Sequence, residues 1–352
     1  MVMPKKRVVI IFGGSSGEHE ISVLSAKSVI DAIDRDRWEV ASIGVTRTGQ
    51  WLSTTETESA LAIGEGTLNH GGTPLTSGQA LTELDTADVV FPLIHGTQGE
   101  DGSLQGLLEL AGIPYAGAGV AASGVGMDKS LQKALFREAG IPVAPYVVLR
   151  RWEIERDQEG IRTLIGKKLG YPCFAKPANG GSSIGITRIT SQQDLEQALS
   201  TALSYDEKVL VEKAMSGREV ECSVLGNEKP EAATVVGEIE PDREFYDYES
   251  KYAGDSQTAL YVPARIDEEA VSRVRELSVR MFLAMGCEGY ARVDFFVGPD
   301  GHTTGSEVNT IPGFTSISMF PRLWEASGVA YPELLTRILE LAIERGKRGA
   351  GQ

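Results

Sequence analysis

The sequence predicts an α/β protein of more than one domain. The run Arg7–Phe12, apolar from Val8 on, reads as a buried parallel strand. It turns through Gly13, Gly14, Ser15, Ser16 and Gly17 into a stretch where Val23, Ala26, Ile30 and Ile33 recur at helical spacing. Strand-like and helix-like runs then alternate along 352 residues, too many for one ordinary core, so two or three domains are expected.

Bulk properties narrow the function. Hydrophobic residues make up 41% and aromatics 7%, a globular mix. A net charge of −15 and a pI near 4.9 argue against nucleic acid or an anionic membrane as the main partner. An anionic substrate would need a local basic cluster. Cys173, Cys222 and Cys287 lack metal-like spacing and fit a reducing compartment, so a cytoplasmic location is expected. The N-terminal apolar run reads as a strand, not as a signal peptide or a membrane span.

The elements follow in order. Strand, glycine turn and helix suggest a dinucleotide fold, yet Phe12 displaces the first glycine of GxGxxG. Glu18 and Glu20 flank His19 at the helix start, where carboxylates also simply complement the macrodipole. Val40–Val45 is a second strand. Thr54–Gly78 is polar and glycine-rich and reads as surface loop. Asp88–Ile94 is a third strand ending in His95-Gly96-Thr97-Gln98-Gly99-Glu100-Asp101-Gly102. Sites in open α/β sheets lie beyond the carboxyl ends of strands, which puts Glu18 and His95 together. A lone histidine is also often structural.

Asp128 predicts an N-cap for a helix that Gly140 stops. Pro172–Pro177 is a short strand carrying Lys176, followed by Asn179-Gly180-Gly181-Ser182-Ser183-Ile184-Gly185. A glycine-serine loop after a lysine strand can fold over phosphates. It is not a Walker A loop, because the lysine precedes the glycines, and most such loops taken alone are hairpin turns. The strand Val209–Glu212 breaks at Glu212-Lys213-Ala214-Met215, a polar bend suited to an adenine edge, with a carboxylate left for ribose hydroxyls. Arg243–Gln257, aromatic and charged without a period, reads as a lid or a plain surface loop. Asp267–Met285 and Pro332–Arg345 are helices.

The stretch Ala291–Pro321 organises the rest. Asp300-Gly301 predicts a tight two-residue turn between strands Arg292–Val297 and Thr303–Asn309. The midpoint then sets Asp294 opposite Glu307 and Arg292 opposite Asn309, all on one face. Two carboxylates, an amide and an arginine make a hard-oxygen site that suits Mg²⁺ with room for phosphate oxygens. A solvated face with a cross-strand ion pair is the plainer reading. Thr310-Ile311-Pro312-Gly313-Phe314-Thr315-Ser316 follows as an anion-binding lip.

Taken in order, GGSSGEHEIS, HGTQGEDG, MDK, FAKP with GGSSIG, VEKAMSGRE, FYDYESKY, ARVDFF and EVNTIPGFTSISMFP resemble the D-alanine–D-alanine ligases of the ATP-grasp superfamily. The resemblance covers nearly the whole chain, and Gln50–Ala87 reads as an insertion without consequence. It implies a three-lobed fold with a Rossmann-like parallel-sheet lobe at residues 1–117, a central lobe at 118–211 and a C-terminal lobe at 212–352. It implies ATP between the last two lobes, D-alanine as substrate, two Mg²⁺ or Mn²⁺ ions on Asp294, Glu307 and Asn309, and a homodimer.

The resemblance also distributes roles. Lys129 and Lys176 fall to the phosphates, with Ser183 in the loop over them. The bend of Glu212, Lys213 and Met215 falls to adenine and Glu219 to ribose. Arg292 and the Gly313 N–H would serve the oxyanion. Glu18 would hold the first ammonium and His95 line that subsite. Ser182, Tyr252 and Glu18 would organise the second subsite, Ser318 meet its carboxylate, and Lys251 meet the transferred phosphate. The rivals are another ATP-grasp carboxylate–amine ligase or a sister making D-alanyl-D-lactate, a nucleotide sensor without turnover, and a nicotinamide dehydrogenase. A sensor has no need of Arg292, and Tyr252 on the expected lid favours an amine over a hydroxyl acceptor.

Overall fold

The structure, a computed structural model, describes residues 4–63, 67–68, 74–181, 183–241 and 258–349. The first strands, β1 (Lys6–Gly13), β2 (Trp38–Val45) and β3 (Val89–Pro92), form a parallel sheet in the order β2-β1-β3. Strand β1 is buried from Val8 onward because it lies in the middle with helices on its faces. The helix His19–Ala32 turns Val23, Ala26 and Val29 inward against it.

The next strands, β4 (Tyr146–Arg150), β5 (Cys173–Pro177), β6 (Thr187–Ile189) and β7 (Lys208–Lys213), form an antiparallel sheet in the order β4-β7-β5-β6. It has its own core of Val147, Ile165, Leu195, Val209 and Val211. The remaining strands are β8 (Arg218–Gly226), β9 (Glu231–Ala232), β10 (Gly237–Glu240), β11 (Ala259–Tyr261), β12 (Gly289–Val297) and β13 (Thr303–Asn309). They run β11-β10-β8-β12-β13, with β9 paired to β8.

The first and last sheets are fused by one apolar core. Phe91 of β3 lies 5.4 Å from Phe314, which lies 5.5 Å from Tyr290 of β12, ring to ring and edge-on. Such pairs are worth roughly 0.5–1.5 kcal/mol each beyond area burial. The helix Lys129–Glu138 precedes the central sheet in sequence, yet its Phe136 is buried in the core of the C-terminal sheet. Asp128 caps this helix as expected, accepting from Ser130 N at 2.9 Å and Leu131 N at 3.2 Å.

The structure departs from the sequence expectation at two places. The polar segment Thr54–Gly78 is not plain loop. It contains the helix Thr54–Ile63 and the start of another, Ser77–Leu84, opened by a Thr76/Gln79 capping box. Local caps outweigh loop-like composition. The wider Gln50–Ala87 stretch is also not without consequence, because Leu52, Ala60 and Leu68 join the first core.

The hairpin turn is the second correction. Gly298 N donates to His302 O at 2.9 Å, so three residues, not two, bridge the strands. Val297 therefore faces Thr303, and Phe295 faces Gly305. A bulge then skips Ser306 and restores Asp294 opposite Glu307 and Arg292 opposite Asn309. The predicted pairing holds because two departures cancel. The bulge matters chemically: with a period of two, Glu307 would otherwise share the core-facing side of Gly305.

Glu238 shows how β10 is braced. It is 2% exposed and takes Arg218 Nη1 at 2.5 Å and Arg265 Nη2 at 2.6 Å. Burial raises its carboxyl, but the hydrogen bonds from Arg265 and Arg218 win and hold it at about 2, below its ordinary 4.5. Its contribution is present above 4.5 and lost as pH falls through about 2. Glu238→Gln should lower stability by about 1–3 kcal/mol at neutral pH. In denaturant titrations the gap to the wild type should narrow steadily below pH 5; a constant gap down to pH 2 would contradict the pairing.

Candidate active site

The three sheets converge on a cleft of about 860 Å³, large enough for a sizeable ligand. Its floor is one face of β8, β12 and β13. Exposure alternates along β12, with Arg292, Asp294 and Phe296 on the cleft side and Val293, Phe295 and Val297 in the core. Arg292 forks onto Asp294, Nε to Oδ1 at 2.8 Å and Nη2 to Oδ2 at 2.7 Å. Asn309 Nδ2 donates to the same Asp294 Oδ2 at 2.9 Å. Glu221 of β8 lies beside Asp294 in register and 3.2 Å from Arg292 Nε. Burial works against the Arg292 charge, yet Asp294 and Glu221 outweigh it and drive its pKa upward.

The central sheet supplies the opposite wall. Lys176 on β5 bonds Glu212 Oε2 at 2.8 Å. Burial pulls its ammonium down and the Glu212 carboxylate pushes it up further, so its pKa is raised. Lys129 reaches Gly180 O at 2.7 Å and Glu307 Oε2 at 3.3 Å, tying the glycine-serine loop to β13. Ser183 sits in that loop at φ 59, a left-handed conformation uncommon for serine. Gly181 comes so close to the first lobe that an added Cβ would lie 2.9 Å from Glu18 Oε2.

The N-terminal sheet and the Thr310–Ser318 loop form the third side. His95 is 4% exposed, and its Nδ1 lies 3.0 Å from Ile311 O. A carbonyl only accepts, so Nδ1 carries the proton. Nε2 meets Ser25 Oγ at 3.3 Å, and the same hydroxyl accepts from Phe314 N at 3.3 Å. The loop is therefore pinned by His95 and Ser25. Gly313 packs on Ser318, whose Oγ would lie 2.6 Å from an added Cβ. Ser318 Oγ also accepts from Thr315 N at 3.0 Å.

The same motifs match known proteins. Residues 7–118 match the family model described as D-ala D-ala ligase N-terminus, and residues 135–340 match D-ala D-ala ligase C-terminus. The chain belongs to the D-alanine–D-alanine ligase family. It is 45% identical to the D-alanine–D-alanine ligase of Acetivibrio thermocellus, over 97% of this chain and 96% of that one. It is 46% identical to D-alanine–D-alanine ligase A of Chromobacterium violaceum, over 98% and 97%. Among solved structures it resembles the VanG D-Ala:D-Ser ligase of Enterococcus faecalis, with TM-score 0.82 and 35% identity over 96% of this chain and all of the other. It also resembles the D-alanine–D-alanine ligase of Coxiella burnetii, with TM-score 0.80 and 34% identity over 99% and 98%. The fold is the ATP-grasp fold of that family.

In this ligase-family chain the cleft gathers Glu18, His95, Lys129, Lys176, Ser183, Glu219, Arg292, Asp294, Glu307, Asn309, Gly313 and Ser318. Ser182, Lys251, Tyr252 and the expected lid 243–257 lie outside the described residues. Glu212 opens the bend expected at adenine. Its side chain is buried between Lys176 and Lys133, while Lys213 is exposed and Met215 half-buried on the bend beyond it.

Sequence reasoning passed over Glu100, Lys133 and Glu221. Glu221 was findable, because it sits two residues from Glu219 on one strand and so shares its face. Lys133 was findable as the residue one helical turn after Lys129. Glu100 needed the fold, since a loop brings its Oε1 to 3.4 Å from His95 Nδ1.

Burial lowers the His95 pKa, and Glu100, Glu18 and the Ile311 carbonyl raise it further, so it stands above the ordinary 6.5. Glu100→Gln removes the largest raising partner. The His95 imidazole, followed by NMR, should then titrate below its wild-type midpoint. An unchanged midpoint would show that Glu100 does not govern it.

Proposed function

We infer that this protein joins two molecules of D-alanine into D-alanyl-D-alanine, with ATP converted to ADP and phosphate, for peptidoglycan precursor synthesis. It is an ATP-dependent ligase. The observation that carries the reading is the single cleft in which Arg292 and the β12–β13 carboxylates face Lys129, Lys176 and a glycine-serine loop. Family membership across both halves supports it.

We propose the following division of labour. Lys129 and Lys176 bind phosphates under the loop of Ser182 and Ser183. The bend of Glu212, Lys213 and Met215 offers backbone groups to adenine, and Glu219 takes the ribose. The γ-phosphoryl group passes to a carboxylate oxygen of the first D-alanine, with release of ADP. Positioning and charge neutralisation do most of that work. The amine of the second D-alanine attacks the acyl phosphate carbon, a proton leaves the nitrogen, and phosphate departs. Arg292 and Gly313 N–H face the oxyanion of that step. Glu18 and His95 serve the first subsite and Ser318 the second, with Ser182, Tyr252 and Lys251 completing the reading of the motifs.

The donor chemistry at β12–β13 fits Mg²⁺ or Mn²⁺. Among the described residues no group of three or more His, Cys, Asp or Glu could hold a metal. Mg²⁺, however, is usually held by one or two carboxylates plus substrate phosphates. Asp294, Glu307 and Asn309 would hold such ions, which would neutralise phosphate charge when bound. Oδ2 of Asp294 accepts from both Arg292 and Asn309, whereas Oδ1 accepts from Arg292 alone and keeps a second lone pair for a metal.

We also propose a division into three lobes near residues 117 and 211, a homodimer, and a cytoplasmic location. The three free, buried cysteines suit the last. Among the described residues no helix is long and apolar enough to cross a membrane.

Incubation with ATP, Mg²⁺ and D-alanine should release phosphate and the dipeptide in equal amounts. D-serine or D-lactate should compete poorly as acceptor; preference for either would overturn the acceptor assignment. Asp294→Asn, which is isosteric, should abolish phosphate release while leaving the thermal transition within a few degrees. Normal turnover at millimolar Mg²⁺ would remove Asp294 from the metal site.

Arg292→Lys keeps the charge and loses the fork. Removing one oxyanion donor typically costs about 10²–10³ in rate. Turnover should fall by that order with little change in the KM for ATP. A loss below about fivefold would contradict the role.

A further inference from the structure

The helix Lys129–Glu138 carries a second lysine that the reading above leaves unused. Lys133 is 2% exposed, and its ammonium pairs with Glu212. The other oxygen of Glu212 takes Lys176 at 2.8 Å. Lys133 Nζ also donates to Ser306 O, at 3.3 Å, on the bulge of β13. Two cations therefore share one carboxylate.

A purely structural ion pair has no use for a third charge. Buried charges are tolerated when paired, and Lys176 with Glu212 is already a neutral pair. Adding Lys133 leaves the trio with one net positive charge. Of the three, only Lys176 opens on the cleft. The surplus is thus expressed at Lys176, one of the two lysines assigned to phosphates, against the more distant pull of Glu307 and Glu219.

We propose that Lys133 is a positioning residue that neutralises Glu212, so that the charge of Lys176 is available to nucleotide phosphates. Its bond to Ser306 O ties this charge setting to the bulge that presents Glu307. Glu212 behaves accordingly. Burial pushes its carboxyl up, but Lys133 and then Lys176 outweigh burial and hold it at about 2. It is ionised throughout the neutral range, and its charge must be answered.

The inference rests on the nucleotide reading of the cleft, and the test separates the two. ADP with Mg²⁺ is titrated calorimetrically into the full chain, with adenosine as a probe lacking phosphates. The variants are Lys133→Met, Lys133→Arg, Glu212→Gln, and Lys133→Met combined with Glu212→Gln. Net charge orders the expected affinities. Lys133→Met, with a neutral trio, should bind ADP at least tenfold more weakly and adenosine within twofold of wild type. Lys133→Arg and the double variant restore the single positive charge and should bind ADP within threefold of wild type. Glu212→Gln should bind at least as tightly.

Wild type that fails to bind ADP would overturn the nucleotide reading and this inference with it. Wild type that binds, with Lys133→Met binding equally well, would overturn the inference alone. So would an equal loss of ADP and adenosine, or a double variant as weak as Lys133→Met. Should Lys133→Met not fold, the double variant against Glu212→Gln decides. Adenosine held within twofold and ADP within tenfold of Glu212→Gln supports the charge role, and any larger or phosphate-independent loss refutes it.

Discussion

The bulge at Ser306 is the constraint on which the cleft depends. A regular hairpin continued from its turn would pair Glu307 with Val293 and face it into the core beside Gly305. Burying an ionised carboxylate there without a partner would cost several kcal/mol. The extra residue shifts the register once, and Glu307 and Asn309 turn toward Asp294 and Arg292. Bulges near sites commonly re-aim side chains in this way. Here Ser306 keeps its carbonyl on Lys133, so the irregular residue is held from the helix side as well.

That helix explains why the cleft has defined walls. It starts on the central sheet, where Lys208 pairs with Asp128 and Lys129 N donates to Ala178 O at 2.9 Å. Its inward face then runs along β13. Gln132 accepts from Val308 N at 2.8 Å, and Phe136 is fully buried against the C-terminal sheet. Residues 129, 132, 133 and 136 fall on one face at helical spacing. One helix face thus fixes two sheets with separate cores relative to each other. The third wall needs no such bridge, because the aromatic contact of Phe91, Tyr290 and Phe314 joins the first and last sheets in one core.

What was legible in the sequence follows from range. Parallel β1, the cap at Asp128 and the helix from Glu268 are written in local patterns, and they stand where those patterns put them. The pairing of Asp294 with Glu307 was reached through a turn that does not exist. A strand pattern reports which residues alternate but not where an extra one is inserted. Glu212 illustrates the same limit. A carboxylate at the end of an apolar strand looks solvent-bound until a lysine 79 positions earlier (212 minus 133) folds onto it. The Thr54–Ile63 helix was hidden because threonine, glutamate and serine dominate it, and only its packing against the first core repays the backbone entropy.

Charge gives the last connection. The protein carries a net charge of −15, and its cleft floor is acidic too: Glu219, Glu221, Asp294 and Glu307 line it with Arg292. A polyphosphate approaching that floor alone would meet like charge in a partly desolvated setting, where repulsion is felt more strongly than in water. Two features of the chain offset this. The floor presents hard oxygens, which favour a nucleotide arriving with divalent cations over a bare one. The opposite wall presents lysines, of which Lys133 and Lys176 share Glu212. The acidic floor and the basic wall therefore belong to one arrangement. The helix Lys129–Glu138 touches both, through Lys129 on Gly180 O and Glu307 and through Lys133 on Ser306 O.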